Sequence, residues 1–558
     1  MLGSELLAWN QDYSIVEGVA MTHNENKVMR RISVCVTVLT CIVIYLIIGY
    51  GIYEDAVFRN QSEKYMPKKS ADYKTYVAAD KGEELSEEQK VNDFLFLSKM
   101  LEESTFLKGQ TEELLHVSWE ERNEDFRKMV EETENDVEFY FVMRRYLNEM
   151  NSIHTYVVDP NYDNYLSFSG ARTMQNFECE LSENKVGEFE QKLSNAAKET
   201  EEYQERVFIY IQGNYYEVGS DTEIVRVNGN EDIYGELNRA GICYRTEYDS
   251  LRERPYYPFV VLNEGYGERL LIELSDGEKK SLFYAPEVER RVSKNGIKAL
   301  EKGRSTFLYL WEDETAYVRI GSLSRNRSVE LKDVMELLEK EEREVNNIVF
   351  DLRGNGGGIG GNVMLGVLDK IFPTTIRTRR EFFLPYTEWN KRLLEETYGI
   401  DKENTRITEN VPEEITEVGF CYLMKEELSV GSKKNKQRDI YVLVNNDTAS
   451  AADWLAHDLR EYMSAVIVGV NTNGEGLSES PAYTLLPNSG LLVSYFDSYA
   501  ENSQGKSNSM YGTTPDYYVE NTIEDLNSRE YSEENLTSLM KTDSQLKYVL
   551  EELIPMEQ

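Results

Sequence analysis

The sequence predicts an α/β protein that carries one transmembrane helix near its N-terminus. In residues 301–535 short strand-like runs alternate with longer runs of helical periodicity, which is typical of α/β domains. Residues 161–300 contain short β-rich runs broken by Gly, Asn and Asp, and residues 85–160 space their apolar side chains as helices do. Residues 32–53 contain no charged side chain and are long enough to cross a bilayer. A closing helix is expected over residues 536–558.

The charge balance of the chain limits its partners. Its 558 residues include 100 acidic and 61 basic side chains, which gives a formal net charge of −39. Such an acidic chain repels nucleic acid and anionic lipid headgroups. We therefore expect no nucleic-acid partner, and contact with the lipid bilayer only through the one transmembrane helix.

The transmembrane segment reads ISVCVTVLTCIVIYLIIGYGIY. Basic residues precede it and acidic residues follow it: Lys27, Arg30 and Arg31, then Glu54 and Asp55. The positive-inside rule predicts a single-pass anchor, with residues 1–31 in the cytoplasm and everything after residue 53 outside. A cleaved signal peptide is the alternative, although the apolar stretch is long and no A-x-A-like site ends it. Residues 54–84 are polar and predict a stalk, and Met21 is an alternative start to Met1.

The cysteines predict neither a disulfide framework nor a metal site. Two of the five fall within the transmembrane segment, and the other three are scattered without ligand spacing: Cys35 and Cys41, then Cys179, Cys243 and Cys421. At most one disulfide can form outside the membrane. We expect no metal and no cofactor.

A candidate nucleophile lies in NNDTASAADWLAHDL, residues 445–459. The apolar run Ile440–Val444 predicts a strand, and the residues after Ser450 predict a helix. A serine at this junction lies beside free backbone N–H groups and at the positive end of a helix dipole. Its hydroxyl is a weak nucleophile, however, until a neighbouring base removes the proton.

A glycine-rich turn is the second candidate element. In VFDLRGNGGGIGGN, residues 349–362, a buried strand leads into a helix. Backbone N–H groups in such a turn can bind a phosphate or an oxyanion. The turn lacks the G-x-x-x-x-G-K-[ST] pattern of nucleotide loops, and Gly356–Gly361 fits G-x-G-x-x-G only because glycine is so frequent there. The alternative is a turn whose glycines merely permit close packing.

Four motifs, in this order, resemble those of the C-terminal processing (tail-specific) serine peptidases. They are DLRGNGGG at 351–358, NNDTASAAD at 445–453, VGVNTNG at 468–474 and GTTPD at 512–516. AYVRIGSLS, residues 316–324, is similar to the opening core strand of that family. The resemblance spans roughly residues 85–525. It implies a ClpP/crotonase-like peptidase core.

By this resemblance Ser450 is the nucleophile, and backbone N–H groups form the oxyanion hole. The donors would be those of Ala451, Gly356 and Gly357. The best-known base of the family, a lysine 25 residues after the serine, is replaced here by Glu475. A carboxylate is a poor base for a serine hydroxyl unless it is strongly desolvated. The chain is therefore closer to the histidine-using branch of the family than to its Ser/Lys members.

Among the four histidines, His154 is the predicted base. LNEMNSIHTYVV resembles the L-x-x-L-x-D-G-H-T step of the family, and the histidine-using branch carries that histidine to the serine. The alternative is that His154 only caps the helical region. His23 is predicted to be cytoplasmic, and His116 has no motif context. His457 lies about 10 Å from Ser450 along the helix axis, beyond hydrogen-bond reach.

The group that orients the imidazole has two candidates. Histidine-using relatives place a carboxylate about three residues before the G-x-x-P-D glycine, and that position is Ser509 here. Ser509 could accept a hydrogen bond from the ring, or Glu475 could take the role by proximity. Loss of the orienting acid can lower an enzyme's rate by orders of magnitude.

Residues 161–300 occupy the place of the peptide-binding PDZ domain of the family. GSDTEIVRVNGNEDIYGELN resembles part of that fold, whereas its carboxylate-binding loop is not visible. We therefore expect a degenerate PDZ-like region.

These features predict a membrane-anchored extracytoplasmic serine endopeptidase of the bacterial cell membrane. It would cleave polypeptides by acyl transfer through Ser450. The rival is a catalytically lapsed member of the same fold that binds a peptide or an envelope protein. The rival is favoured by the loss of both the lysine and the orienting carboxylate, and the enzyme by the retained nucleophile and glycine-rich turn.

Overall fold

The chain forms two compact units, Met1–Tyr65 and Met66–Gln558. The computed structural model describes residues 36–37, 40, 83–160, 172–173, 183–294, 306–310, 314–323, 328–341, 344–358, 369–398, 405–432, 434–478, 481–528 and 542–554. The predicted transmembrane segment and stalk lie almost entirely outside these ranges. Across the described ranges, no helix has the length and apolarity that a membrane crossing needs.

Four helices begin the described part of the second unit. They are α1 Glu87–Ser104, α2 Leu107–Leu115, α3 Trp119–Glu131 and α4 Asp136–Asn148. Ser86 begins α1 with a capping box, in which its side chain and that of Gln89 satisfy each other's backbone N–H groups. Tyr146 of α4 packs edge-on against Phe94 and Phe126, with ring centroids 5.0 and 5.2 Å apart. This aromatic packing fixes α4, which leads into the segment that carries His154.

The next region contains a closed β-barrel. The elements of this region, inside and outside the barrel, are β1 Tyr156–Val157, β2 Arg172–Thr173, α5 Glu183–Glu199, β3 Glu205–Ile211, β4 Asn214–Glu217, β5 Glu223–Val227, α6 Ile233–Arg239, β6 Glu247–Asp249, β7 Arg254–Tyr256, β8 Phe259–Asn263, β9 Glu268–Leu274, β10 Lys279–Tyr284 and α7 Pro286–Lys294. The antiparallel barrel has the order β10-β8-β3-β4-β5-β9, and β6 and β7 form a separate hairpin. Buried side chains such as Phe208, Ile224 and Ile272 fill the barrel. The described strands do not show the predicted PDZ likeness.

The remaining elements form the core. They are β11 Thr306–Leu310, β12 Thr315–Ile320, α8 Ser328–Lys340, β13 Asn347–Asp351, β14 Ile376–Pro385, α9 Glu388–Tyr398, β15 Thr405–Thr408, a 3₁₀ helix Glu413–Val418, β16 Cys421–Val430, β17 Asp439–Val444, α10 Ala451–Met463, β18 Val466–Gly469, β19 Ala482–Leu485, β20 Leu492–Tyr495, α11 Asn508–Tyr511, β21 Tyr517–Tyr518, α12 Ile523–Ser528, α13 Ser544–Tyr548 and a π-helical turn Val549–Leu553.

The central sheet has the order β11-β12-β13-β17-β18-β21, with parallel pairing from β12 to β21. Its inner strands are buried runs of apolar residues, as parallel strands covered on both faces require. Asp351 at the end of β13 pairs with Leu443 near the end of β17. The glycine-rich turn after β13 and the serine loop after β17 therefore meet at one edge of the sheet.

A second sheet brings the segment after α4 to the core. It has the order β1-β20-β19-β2, and Tyr156 of β1 pairs with Ser494 of β20. The Ser494 hydroxyl donates to the carbonyl oxygen of His154 at 2.7 Å. Thr155 Oγ1 accepts the N–H of Phe496 at 3.1 Å. These bonds fix the backbone of His154 beside β20.

Candidate active site

Ser450 lies at the junction between β17 and α10, in a backbone conformation that few side chains adopt. Its φ is 54° and its ψ is −127°, and it is the N-cap of α10 without a side-chain capping bond. A positive φ at a non-glycine residue costs free energy and persists only where neighbours enforce it. Here the Ser450 N–H donates to Gly474 O at 2.8 Å, and the Ala449 N–H donates to Asn355 O at 3.0 Å. The surrounding loops therefore set the direction of the serine.

The glycine-rich turn lies directly against Ser450. A Cβ on Gly357, whose φ is 91°, would lie 2.7 Å from the Cβ of Ser450 and 2.9 Å from the nitrogen of Ala451. Such a separation excludes any side chain at position 357. The glycine at this position thus allows the turn to pack closely against Ser450.

The predicted oxyanion donors have different states. The Gly357 N–H donates to Asn355 Oδ1 at 2.9 Å, so Gly357 does not supply a free donor in this conformation. This corrects the sequence prediction, and the reason is that the amide of Asn355 folds back on its own turn. The N–H groups of Gly356 and Ala451 donate to no acceptor within the described ranges. Ala451 is the first residue of α10, where the N–H groups have no partner inside the helix.

His154 contacts a buried carboxylate. Its Nδ1 lies 2.6 Å from Oε2 of Glu475, and its backbone N–H donates to the same oxygen at 3.0 Å. The Nδ1 contact has ion-pair distance, although its angle falls short of an aligned hydrogen bond. The Glu475 side chain is fully buried, whereas that of His154 is 18% exposed and its ring stacks on Phe496. One edge of the imidazole is thus held by protein.

The loop that carries Glu475 is tied to the helix that carries Ser450. Glu475 has a φ of 56°, and the carbonyl of the preceding Gly474 accepts the Ser450 N–H. The following Gly476 donates its N–H to Asp453 Oδ2 at 3.2 Å. A Cβ on Gly476 would lie 2.3 Å from the carbonyl oxygen of Ser450. The Glu475 loop therefore contacts the backbone of Ser450, while the Glu475 side chain contacts His154.

Arg380 of β14 holds the same loop from the other side. Its Nη1 donates to the carbonyl oxygens of Gly476 at 3.0 Å and of Ser478 at 3.3 Å. Its guanidinium lies 3.6 Å from the ring centroid of Trp454, a residue of α10. The backbone N–H of Trp454 donates to the carbonyl oxygen of Ser450 at 3.0 Å. Arg380 thus joins the Glu475 loop to α10, and no sequence motif indicated it.

Ser509 does not take the orienting role that the sequence offered it. Its hydroxyl accepts a hydrogen bond from Gln110 Nε2 at 2.6 Å and lies 3.0 Å from the hydroxyl of Ser507. No contact joins it to His154 within the described ranges. The short helix α11 turns the serine toward α2 instead. Of the two candidates, the structure brings Glu475 to the imidazole.

The other histidines and the cysteines lie apart from this arrangement. His457 Nδ1 contacts the neighbouring Asp458 at 3.3 Å, and His116 ends α2 in a left-handed conformation. His23 is outside the described residues. Cys243 and Cys421 are buried free thiols. The described ranges contain no group of three or more side chains suited to a metal ion.

A buried ionic cluster supports the glycine-rich turn from below. Asp351 accepts bonds from Arg319 at 2.8 Å and from Arg353 at 2.6 Å, and Arg353 also contacts Asp543 at 2.8 Å. Burial alone would raise the pKa of Asp351, but Arg353 and Arg319 outweigh it and hold that pKa well below its usual range. The carboxylate is therefore ionised, and it fixes where β13 ends.

Comparison with known proteins agrees with this architecture. Residues 314–519 match the family model described as peptidase family S41. A point mutant of CPAF aligns with a TM-score of 0.50 at 13% identity, over 84% of this chain and 99% of that chain. Mature CPAF aligns with a TM-score of 0.46 at 13% identity, over 84% and 99% of the two chains. The photosystem II D1 C-terminal processing protease aligns with a TM-score of 0.36 at 14% identity, over 78% and 94%.

No curated protein matches the chain. The family match and the CPAF likeness give the core the α/β fold of S41 peptidases, so the predicted fold class of the core is confirmed. Neither comparison assigns the chain to the histidine-using branch.

Proposed function

We propose that this protein is a serine peptidase that cleaves polypeptides by acyl transfer through Ser450. His154 is the general base, and Glu475 orients it. The S41 family match supports a proteolytic function, and the retained junction of strand, serine and helix supports Ser450 as nucleophile. The observation that carries the proposal is the contact between His154 Nδ1 and the buried Oε2 of Glu475 at 2.6 Å.

The proposed roles define the steps of the reaction. Ser450 Oγ attacks the peptide carbonyl while Nε2 of His154 takes the hydroxyl proton, and the carbonyl oxygen becomes negative. The free N–H groups of Ala451 and Gly356 stabilise that charge. The imidazolium then gives its proton to the departing amine, which leaves an acyl-enzyme. Water, deprotonated by the same imidazole, hydrolyses the ester and regenerates Ser450.

Glu475 supports this cycle because it is an acceptor that water does not screen. A carboxylate next to Nδ1 selects the tautomer with the proton on Nδ1, which leaves Nε2 free to act as a base. It also stabilises the imidazolium that forms during the reaction. The glutamate at the family's lysine position therefore serves the base rather than acting as one.

A catalytically lapsed binding protein is the second candidate function. The hydroxyl of Ser450 makes no hydrogen bond to any residue in the described ranges, and the Gly357 N–H is occupied. Both features would suit a groove that binds an extended peptide without cleaving it. Catalytic hydrogen bonds are often long in the absence of substrate, however, so this geometry alone does not exclude an enzymatic function.

The place of action that we propose is outside the bacterial cell membrane, with residues 32–53 as the anchor. The charge asymmetry around this uncharged segment supports the orientation. Protease added to intact cells should digest the large domain. Full protection of that domain would contradict both the proposed topology and the envelope role, but it would leave the peptidase proposal intact.

Labelling with a fluorophosphonate probe tests the enzymatic proposal, because only an activated serine reacts. We expect labelling of the native protein and of His457→Ala. We expect none for Ser450→Ala and a greatly slowed reaction for His154→Ala. His457 is the matched control, since its imidazole contacts Asp458 rather than Glu475. Absence of labelling in the native protein, together with retained peptide binding, would establish the binding protein instead.

A further inference from the structure

The hairpin β6–β7 of the barrel region contacts both loops of the candidate active site. Glu247 and Tyr256 face each other across this hairpin, and the Tyr256 hydroxyl donates to Glu247 Oε2 at 2.7 Å. Glu247 Oε1 accepts the side-chain N–H of Asn473 at 3.0 Å. The Tyr256 hydroxyl in turn accepts a hydrogen bond from the side-chain amide of Asn446. Four side chains thus form one chain of hydrogen bonds.

The two ends of this chain fall in the loops that carry the reacting groups. Asn446 lies four residues before Ser450, and Asn473 lies two residues before Glu475. The backbone repeats the connection, because the Asn473 N–H donates to Thr448 O at 2.8 Å. A shift of the hairpin would therefore change the position of the Ser450 loop relative to the Glu475 loop.

The two central side chains of this hydrogen-bonded series are buried, and the charge of the carboxylate is balanced. Glu247 is 2% exposed and Tyr256 is 3% exposed. Arg245 forms an ion pair with Glu247, which compensates the buried carboxylate. Burial, and then the neighbouring Glu247, raise the pKa of Tyr256 well above its usual value, so its hydroxyl stays protonated and donates throughout the physiological range. Glu247, Tyr256, Asn446 and Asn473 all line one cleft between the hairpin and the core.

We infer that Glu247 and Tyr256 are positioning residues, which hold the Ser450 loop and the Glu475 loop in register from the barrel side. This inference rests on the proposed peptidase function. By this inference the barrel region contributes to the reaction through its hairpin. That contribution does not require the barrel to bind a peptide. Neither residue touches the reacting atoms in this role. Each acts through Asn446 or Asn473.

Positioning predicts effects that simple stabilisation does not. A misplaced Glu475 leaves the imidazole poorly oriented, which lowers kcat and changes KM little. A contact that only stabilises the fold would lower the melting temperature while each folded molecule kept its kcat. The two roles can therefore be distinguished by measuring kcat and KM, together with the labelling rate, per folded molecule.

Tyr256→Phe is the sharpest variant, because it removes one hydroxyl and keeps the ring. Tyr284→Phe is its matched control. Tyr284 is also a buried tyrosine of the barrel region, but its hydroxyl donates to Glu289 at 2.8 Å and accepts the Cys243 N–H at 2.7 Å, so it does not bond the hairpin. We expect about a tenfold lower kcat for Tyr256→Phe, with KM within about twofold, and no change in kcat for Tyr284→Phe.

A double-mutant cycle with Glu247→Gln completes the test. If the residues act as one chain, the double variant should be about as slow as the slower single variant. Equal kcat for Tyr256→Phe and Tyr284→Phe, with an active native protein, would overturn the positioning role and leave the peptidase proposal standing. A native protein that neither hydrolyses peptides nor reacts with a fluorophosphonate would remove the proposed function first, and this inference with it.

Discussion

The serine and the histidine of the candidate site reach it by different structural routes. Ser450 follows β17, and the glycine-rich turn follows the adjacent strand β13, so their proximity results from one pair of neighbouring parallel strands. His154 comes from the end of the helical region, and it meets Glu475 321 positions later in the chain. The serine side therefore depends on local strand–turn–helix structure. The histidine side depends on how separate regions pack, and we expect it to be the easier one to disturb.

The largest effect is expected for the two reacting residues. Ser450→Ala and His154→Ala should each lower kcat by about a thousandfold or more, since members of one catalytic unit are not additive. The double variant should be no slower than either single variant. Steady-state hydrolysis of an unfolded protein substrate measures this. Full activity in His154→Ala would reduce His154 to a structural residue.

The next effect concerns the stability of the serine side. Asp351→Asn removes the buried carboxylate that pairs with Arg319 and Arg353, so we expect about 3 kcal/mol less unfolding free energy at pH 7. The folded-state pKa of Asp351 lies below the unfolded value, so its contribution is complete above the unfolded pKa and is lost as pH falls through the folded one. The difference in unfolding free energy between the native protein and the variant should therefore narrow as the pH falls. Urea unfolding at pH 7 and pH 3 measures the gap, and exposed Asp439→Asn is the control.

Glu475→Gln tests the carboxylate that joins the two sides. The amide keeps the size of the side chain but loses its charge, so we expect about a hundredfold lower kcat with KM little changed. Ser509→Ala should stay within about threefold, since its hydroxyl contacts Gln110 and Ser507 instead of His154. Glu475→Lys, which places a lysine at the position that the Ser/Lys family members use, should not raise activity. A rise would indicate that lysine, and not His154, can serve this serine.

The smallest effect is expected at Arg380, which tethers the Glu475 loop from β14. Arg380→Ala should lower kcat about tenfold through loss of the bonds to Gly476 and Ser478, and Arg380→Lys should recover part of it. Arg379→Ala, an exposed neighbour, is the matched control. Labelling rates per folded molecule would separate positioning from stability. If Arg380→Ala and Arg379→Ala label equally fast, the loop positions Glu475 without help from Arg380.

The serine side could be predicted from the sequence because its determinants are local. The apolar run before Ser450, the helical pattern after it and the glycines at 356 and 357 each encode a short piece of backbone. The parallel order of two buried strands then places these pieces together. The state of the Gly357 N–H escaped prediction, because whether Asn355 bonds it depends on a side-chain rotamer that no motif specifies.

The sequence by itself thus determined the serine at the strand–helix junction, the turn beside it and the α/β core, since short-range periodicity and turn chemistry decide these. The tertiary structure decided which group faces the imidazole. Ser509 had the motif position of the orienting carboxylate, whereas Glu475 had that of the family's lysine. Packing of β1 against β20 and the hydrogen bonds of Gly474 and Gly476 to α10 nevertheless bring Glu475 to His154. Contacts between distant segments depend on how whole regions pack, and that packing is not written in any one stretch of the chain.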